Sequence, residues 1–170
     1  MKKLKQKTVQ KLKEKGIEID ELATLVYEIQ IDYCSNLTKK ECKTAINEIL
    51  SKREVIHTIL TGLILDEYAD KHPDETINQI IKNDQGTYGT DETLALGILN
   101  LYGTIAYTNF GYLDKTKPGI IGIIDKKGKN KEYCTTFLDD IIAAIVAAAA
   151  SKIAHIKKTP QKQCFKTKQI

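Results

Sequence analysis

The sequence of 170 residues has no Trp, three Pro and a single Arg, and aromatic residues make up 6% of it. So few aromatic and arginine side chains, with no recognition motif, argue against a nucleic-acid partner. None of the four cysteines forms a CxxC pair or lies at zinc-like spacing from a histidine, which disfavours a disulfide framework and a zinc site. Reduced thiols and the lack of an apolar segment after the basic N-terminus predict a cytoplasmic protein without a secretory signal.

Positive charge is concentrated at the two ends of the chain. Residues 1–15 and 151–170 each carry +6, and because the net charge is +4, the remaining residues carry −8. We expect one helical domain over residues 1–156, with a basic and loosely docked helix at 1–15, followed by a basic tail at 157–170. These ends are either solvated or attracted to an anionic membrane surface, where each lysine contributes roughly 1 kcal/mol.

Apolar residues recur at helical spacing, and no segment alternates long enough to predict a sheet. Thr38-Lys-Lys-Glu41 matches a capping box at a helix start. Residues 93–113 and 141–151 contain no charge, and a helix that is apolar all round is buried on every side. The first segment has the length of a membrane span, but Gly, Thr or Asn occupies many of its positions. We therefore predict an all-α bundle in which a buried central helix at about 93–108 is surrounded by amphipathic helices.

Five carboxylates flank these two apolar segments: Asp91, Glu92, Asp114, Asp139 and Asp140. Acids in the first turn of a helix are favoured by its dipole, and Thr136-Phe-Leu-Asp139 matches a capping box, so simple capping explains each pair taken alone. Taken together, the acids also suit a metal site. Both interpretations stay open at this point.

Asp140 shares a helical face with Ala143, Ala144 and Ala147, so its carboxylate points along an apolar surface. A carboxylate buried without a partner either binds a proton or needs a cation. Oxygen ligands on several elements suit Mg²⁺, which takes one or two carboxylates together with phosphate oxygens and water. Lys117 offers a positive charge for a phosphate at the same place.

Three motifs occur in a fixed order: Asp91-Glu92, Leu113-Asp114-x-x-Lys117-Pro118 and Asp139-Asp140-Ile141. In this order they resemble the phosphatidylglycerophosphatase A family. The chain is more closely similar to the soluble, YutG-like branch of that family in Gram-positive bacteria, which includes low-temperature-requirement protein C. This similarity covers residues 17–156 and extends to Lys52-Arg53-Glu54-Val55, Leu60-Thr61-Gly62, Asp66, Gly86-x-Tyr88-Gly89, Tyr107-Thr108-Asn109-x-Gly111-Tyr112 and Phe137-Leu138-Asp139-Asp140.

The resemblance implies an all-α phosphatase that uses Mg²⁺ to convert phosphatidylglycerol phosphate into phosphatidylglycerol and phosphate. By position, it makes Asp91, Glu92, Asp114, Asp139 and Asp140 the metal ligands and turns Lys117 toward the substrate phosphate. Asp140 or Glu92 would accept the proton of the attacking water, and Mn²⁺ would substitute for Mg²⁺. The expected partner is a phospholipid substrate at the inner face of the membrane, where the protein would be peripheral.

Two alternatives stay open. The substrate is instead a soluble phosphate ester, or the chain is a non-enzymatic helical protein, needed for growth in the cold or under stress, with a structural metal site. Assembly into a homo-oligomer is also left open by the sequence.

Overall fold

The structure is a computed structural model that describes residues 2–84, 86 and 88–157. These residues contain α-helices and no β-strand, which confirms the all-α prediction. Of the predicted basic tail, only Lys157 lies within the described residues. The helices are α1 (Lys2–Glu14), α2 (Ile19–Gln30), α3 (Lys39–Ile49), α4 (Arg53–Lys71), α5 (Thr76–Lys82), α6 (Thr90–Leu99), α7 (Thr104–Thr116), α8 (Ile120–Lys129) and α9 (Leu138–Ile156).

The last helix, α9, forms the centre of the fold. Every residue from Leu138 to Ser151 is buried, and α9 contacts α2, α3, α4, α6, α7 and α8. Its alanines allow this, because their small side chains let several neighbouring helices approach the same axis closely. The apolar segment at 141–151 therefore lies in the core, as its composition predicts.

The prediction of a central helix at about 93–108 is wrong. This segment forms two helices, α6 and α7, which are interrupted at residues 100–103. Gly103 adopts a φ of 73°, a conformation that ends a right-handed helix and that glycine adopts without strain. Leu101 and Tyr107 beside the break are exposed, so the segment borders the core and does not form its axis. Within the described residues, no helix combines the length and the hydropathy that crossing a bilayer requires.

The basic helix α1 packs on the outside of the fold, against α4. Its buried side chains are Thr8 and Leu12. Near its start, the Lys5 Nζ donates hydrogen bonds to the Asn47 carbonyl oxygen at 2.6 Å and to the Ser51 Oγ at 2.9 Å. The remaining lysines of α1 face outward, because a charged ammonium group is costly to bury.

Candidate metal centre

Three helix ends meet at one end of the molecule and carry all the predicted acidic residues. Asp91 and Glu92 lie in the first turn of α6, and Asp139 and Asp140 lie in the first turn of α9. Asp114 lies in the last turn of α7. Helix N-termini carry partial positive charge, so two of these three ends favour carboxylates and anionic ligands.

Three of the acids come close enough to share one cation. One carboxylate oxygen from each of Asp91, Glu92 and Asp140 lies within 4.8 Å of the other two. Asp91 and Asp140 are buried, and Glu92 is half-buried. Among the described residues, the Asp91 Oδ1 and the Glu92 Oε2 are buried without a hydrogen-bond partner. Because a buried acceptor without a donor is costly, these oxygens fit ligands of a divalent cation.

The carboxylates at this end resist ionisation. Burial, and then the charge of Asp139, raises the pKa of Asp140 to about 9. Burial, and then Glu92, raises the pKa of Asp91 to about 7. Burial also raises the pKa of Asp139 to about 6, although Lys117 opposes this rise. A cation placed among these groups would favour their charged forms, since an opposite charge within a few ångströms lowers the pKa of an acid.

Lys117 neutralises the remaining acids. Its Nζ lies 2.7 Å from the Asp114 Oδ1, 2.7 Å from the Asp139 Oδ2 and 3.5 Å from the Asp140 Oδ1. Burial opposes the ammonium form, but the charge of Asp139 and the hydrogen bonds to Asp114 and Asp139 outweigh it and raise the pKa of Lys117 above its usual value. The structure thus divides the predicted ligands into two groups. Asp91, Glu92 and Asp140 form the triad, of which Asp140 also lies 3.5 Å from Lys117. Asp114 and Asp139 accept the shorter hydrogen bonds from the lysine.

The backbone of Lys117 adopts an unfavourable, left-handed conformation. Lys117 ends α7 with φ 44° and ψ 54°, the left-handed region that residues with a Cβ seldom adopt. Gly122, in the first turns of α8, packs against its carbonyl group, and a Cβ at that position would lie 2.3 Å from the Lys117 oxygen. The turn from α7 into α8 therefore directs the side chain of Lys117 back toward α9.

A residue without a role in the sequence analysis holds the start of α9. The carboxylate of Asp66, on α4, accepts hydrogen bonds from the backbone N–H groups of Phe137 and Leu138, both at 3.1 Å. One turn earlier, Gly62 lets α4 approach α9, since a Cβ there would lie 2.3 Å from the Ile141 Cδ1. Burial raises the pKa of Asp66 to about 8, although the hydrogen bond from the Phe137 N–H opposes this rise.

The capping box predicted at Thr136 is absent. Phe137 is the cap residue of α9, and Thr136 instead donates its hydroxyl hydrogen to the Ile81 carbonyl oxygen at 2.5 Å. The first N–H groups of α9 are satisfied by a side chain from another helix, because the Thr136 hydroxyl points away from them. The sequence contains one signal for this cap. Residue 66 is an acid that lies on the face of α4 that also buries Ile59 and Leu63.

The loop before α6 also contacts the start of α9. The ring of Tyr88 lies edge-on to that of Phe137, with 5.9 Å between the ring centroids. Phe137 is fully buried between this loop and α4. Packing at Phe137 thus ties together the helix ends that carry Asp91, Glu92 and Asp140.

Comparisons with known proteins show the family to which this chain belongs. Residues 8–155 match the model of the family described as Phosphatidylglycerophosphatase A. The Bacillus subtilis (strain 168) protein YutG is 45% identical over 146 residues, which cover 85% of this chain and 87% of YutG.

Two solved structures share the fold. The low temperature requirement C protein from Listeria monocytogenes is 44% identical, with a TM-score of 0.85 over 90% of this chain and 96% of that one. A protein of unknown function from Bacillus stearothermophilus is 46% identical, with a TM-score of 0.84 over 89% of this chain and 94% of that one. Because the family match spans nearly the whole described chain, this protein belongs to the phosphatidylglycerophosphatase A family.

Proposed function

We propose that the protein is an Mg²⁺-dependent lipid phosphatase that hydrolyses phosphatidylglycerol phosphate to phosphatidylglycerol and phosphate. The observation that carries this proposal is the triad of Asp91, Glu92 and Asp140. Within the described residues, the Asp91 Oδ1 and the Glu92 Oε2 are buried without a hydrogen-bond partner, and the Asp140 Oδ1 lies 3.5 Å from the ammonium group of Lys117. Family membership supports a phosphatase, and the description of the family names the lipid substrate.

The residues present fit a hard divalent cation, since the triad supplies only carboxylate oxygens and two of these lack any donor. Asp91, Glu92 and Asp140 would hold Mg²⁺, or Mn²⁺ in its place. When bound, the ion supplies charge stabilisation at the phosphoryl oxygens and lowers the pKa of water.

The chain's own groups supply the rest of the chemistry. Lys117, next to Asp140, stabilises the negative charge that gathers on the phosphoryl oxygens during transfer to water. Glu92 is half-buried and accepts the proton of the attacking water, with Asp140 as the alternative acceptor. Asp114 and Asp139 position the Lys117 ammonium through their hydrogen bonds. The enzyme would act on lipid at the inner face of the cytoplasmic membrane, and self-association stays a prediction.

The test is phosphate release from phosphatidylglycerol phosphate in mixed micelles, measured on the full chain with Mg²⁺ or with EDTA. We expect release only with Mg²⁺, and we expect Asp140→Asn to lower it by at least about 100-fold. Asp74→Asn is the matched control, because Asp74 is an exposed acid outside the site, and it should retain full activity.

Three outcomes would overturn the proposal. Undiminished release in EDTA or from Asp140→Asn would remove the metal mechanism. Equal turnover of a water-soluble ester, indifferent to micelles, would replace the lipid substrate with a soluble one. A rise in melting temperature with Mg²⁺, without turnover of any phosphate ester, would leave a non-enzymatic protein with a structural metal site.

A further inference from the structure

Five lysines lie around the C-terminal end of α8 and the segment that leads into α9, and we call this surface the lysine face. Lys126, Lys127 and Lys129 belong to the last turn of α8, and Lys131 follows that helix. The fifth is Lys15, which directly follows α1. Four of the five lie within the six residues 126–131. This surface is therefore more densely basic than the chain's overall charge of +4 indicates.

Tyr133 brings two of these lysines together from distant parts of the sequence. The Lys15 Nζ lies 4.5 Å from the centroid of the Tyr133 ring, and the Lys127 Nζ lies 5.9 Å from the same centroid. The Tyr133 hydroxyl donates a hydrogen bond to the Lys15 carbonyl oxygen at 3.2 Å, which fixes the end of α1 against this ring. Two ammonium groups that share one ring repel each other, and a nearby anion would relieve that repulsion.

Acidic side chains neutralise little of this charge. Lys129 pairs with Asp125 at 2.8 Å, and Glu132 is exposed beside Tyr133. In the part of the chain that the structure describes, Lys15, Lys126, Lys127 and Lys131 have no carboxylate within ion-pair distance. The lysine face is thus complementary to a surface of negative charge.

A cavity of about 230 Å³ lies between the lysine face and the segment that leads into α9. Its lining includes Lys129, Lys131 and Asp125, together with Thr135 and Thr136, which lead into α9. Asp84 also lines the cavity; burial raises its pKa, and the charge of Lys117 opposes that rise, so the two groups lie within electrostatic range. A charged surface that contacts the lysine face would therefore lie close to Lys117.

The lysines of α1 lie away from the lysine face, and the start of the basic tail lies away from the carboxylates. At 1.5 Å per residue, Lys3 and Lys7 are roughly 12–18 Å along α1 from Lys15. Lys157, where the basic tail begins, is about 25 Å along α9 from Asp140.

We infer that the lysine face docks the protein onto an anionic phospholipid bilayer and so turns the carboxylate site toward the lipid headgroups. This inference rests on the proposed function for the identity of the substrate. The docking itself is independent of catalysis and can be measured in EDTA.

The experiment measures sedimentation of the full chain with vesicles of phosphatidylcholine, with or without phosphatidylglycerol, in EDTA at low ionic strength. The test variant is Lys126→Glu/Lys131→Glu, which reverses two exposed charges of the lysine face. Two variants with the same change in charge serve as controls: Lys3→Glu/Lys7→Glu on α1 and Lys162→Glu/Lys166→Glu in the tail. Circular dichroism checks that all of them fold.

We expect binding only to vesicles that contain phosphatidylglycerol, weakened about 30-fold in Lys126→Glu/Lys131→Glu and nearly unchanged in both controls. Wild-type binding by the test variant would overturn the inference, as would an equal or larger loss in either control. Retained vesicle binding together with lost affinity for a DNA duplex would also overturn it, in favour of a nucleic-acid surface.

The inference and the proposed function can fail separately. If the test variant loses vesicle binding while no protein releases phosphate, the docking surface stands and the phosphatase proposal falls. If release requires Mg²⁺ and Asp140 but vesicle binding does not depend on Lys126 and Lys131, only the docking surface falls.

Discussion

At the scale of single residues, the site depends on how each buried charge is compensated. Lys117 compensates Asp114 and Asp139 through hydrogen bonds of 2.7 Å, and two backbone N–H groups at the start of α9 compensate Asp66. Within the described residues, the Asp91 Oδ1 and the Glu92 Oε2 lack such compensation. Polar groups that a fold leaves unsatisfied cost stability and often mark a site that a ligand completes.

Replacing Asp66 with alanine would leave the N–H groups of Phe137 and Leu138 buried without an acceptor. We expect Asp66→Ala to lower the free energy of unfolding by about 2–4 kcal/mol, since each unsatisfied group costs roughly 1–3 kcal/mol. Urea unfolding followed by circular dichroism measures this loss. Glu67→Ala is the control on the same helix; it removes only a surface ion pair with Lys11 and should cost at most about 0.5 kcal/mol. Equal costs for both variants would show that Asp66 does not cap α9.

The sequence could predict which residue types form the candidate site, but not how they are arranged. Asp91, Glu92 and Asp140 were predicted as candidate site residues because they lie at the ends of apolar segments, where a charge beside a buried helix needs compensation. Their separation along the chain, from residue 91 to residue 140, says nothing about distance in space. Asp66 had no predicted role, since capping of α9 from another helix leaves no local pattern around residue 137.

At the scale of helices, two close approaches set the geometry of the site. Gly62 lets α4 contact α9, and Gly122 lets the start of α8 contact the Lys117 carbonyl group. Periodicity predicted the helices, and the predicted capping box at Thr38 and Glu41 is present at the start of α3. Periodicity failed to predict the break within residues 93–108, because Gly103 interrupts the helical conformation there without changing the apolar composition of the segment.

Gly122→Ala tests the contact between α8 and Lys117. The new Cβ would lie 2.3 Å from a backbone oxygen, so α8 has to shift, at a cost of about 1–3 kcal/mol. Gly111→Ala is the matched control, because this exposed position within α7 has no atom within 4 Å of a new Cβ. It should raise stability by about 0.5–1 kcal/mol, through the higher helix propensity of alanine. Thermal unfolding measures both, and a neutral Gly122→Ala would contradict the close packing described at this turn.

At the scale of the whole molecule, the buried acids link stability to pH, and under the proposed function the same acids also link it to Mg²⁺. In the metal-free protein, the pKa values of Asp139, Asp91, Asp66 and Asp140 are raised to about 6, 7, 8 and 9. The ordinary value for an aspartate is close to 4. At pH values between the ordinary pKa and the raised pKa of each acid, the folded chain holds a proton that the unfolded chain has released. The stability of the folded chain therefore falls as the pH rises.

We therefore expect the melting temperature in EDTA to decline from about pH 4 to about pH 9. Mg²⁺ favours the ionised triad, so the rise in melting temperature that it produces should grow with pH over this range. Scanning calorimetry at several pH values, with and without Mg²⁺, measures both trends. Asp140→Asn should flatten the decline in EDTA and abolish most of the response to Mg²⁺. A response to Mg²⁺ that is the same at pH 6 and pH 9 would contradict this linkage.

The alanine run of α9 has a consequence for protein engineering. Helix α9 contacts six neighbouring helices, and Ala147 to Ala150 are fully buried among them. Enlarging any of these four side chains therefore has to push a neighbouring helix outward. Redesign of this fold should therefore leave this stretch untouched and vary the outer helices, whose solvent-facing positions tolerate larger or smaller replacements.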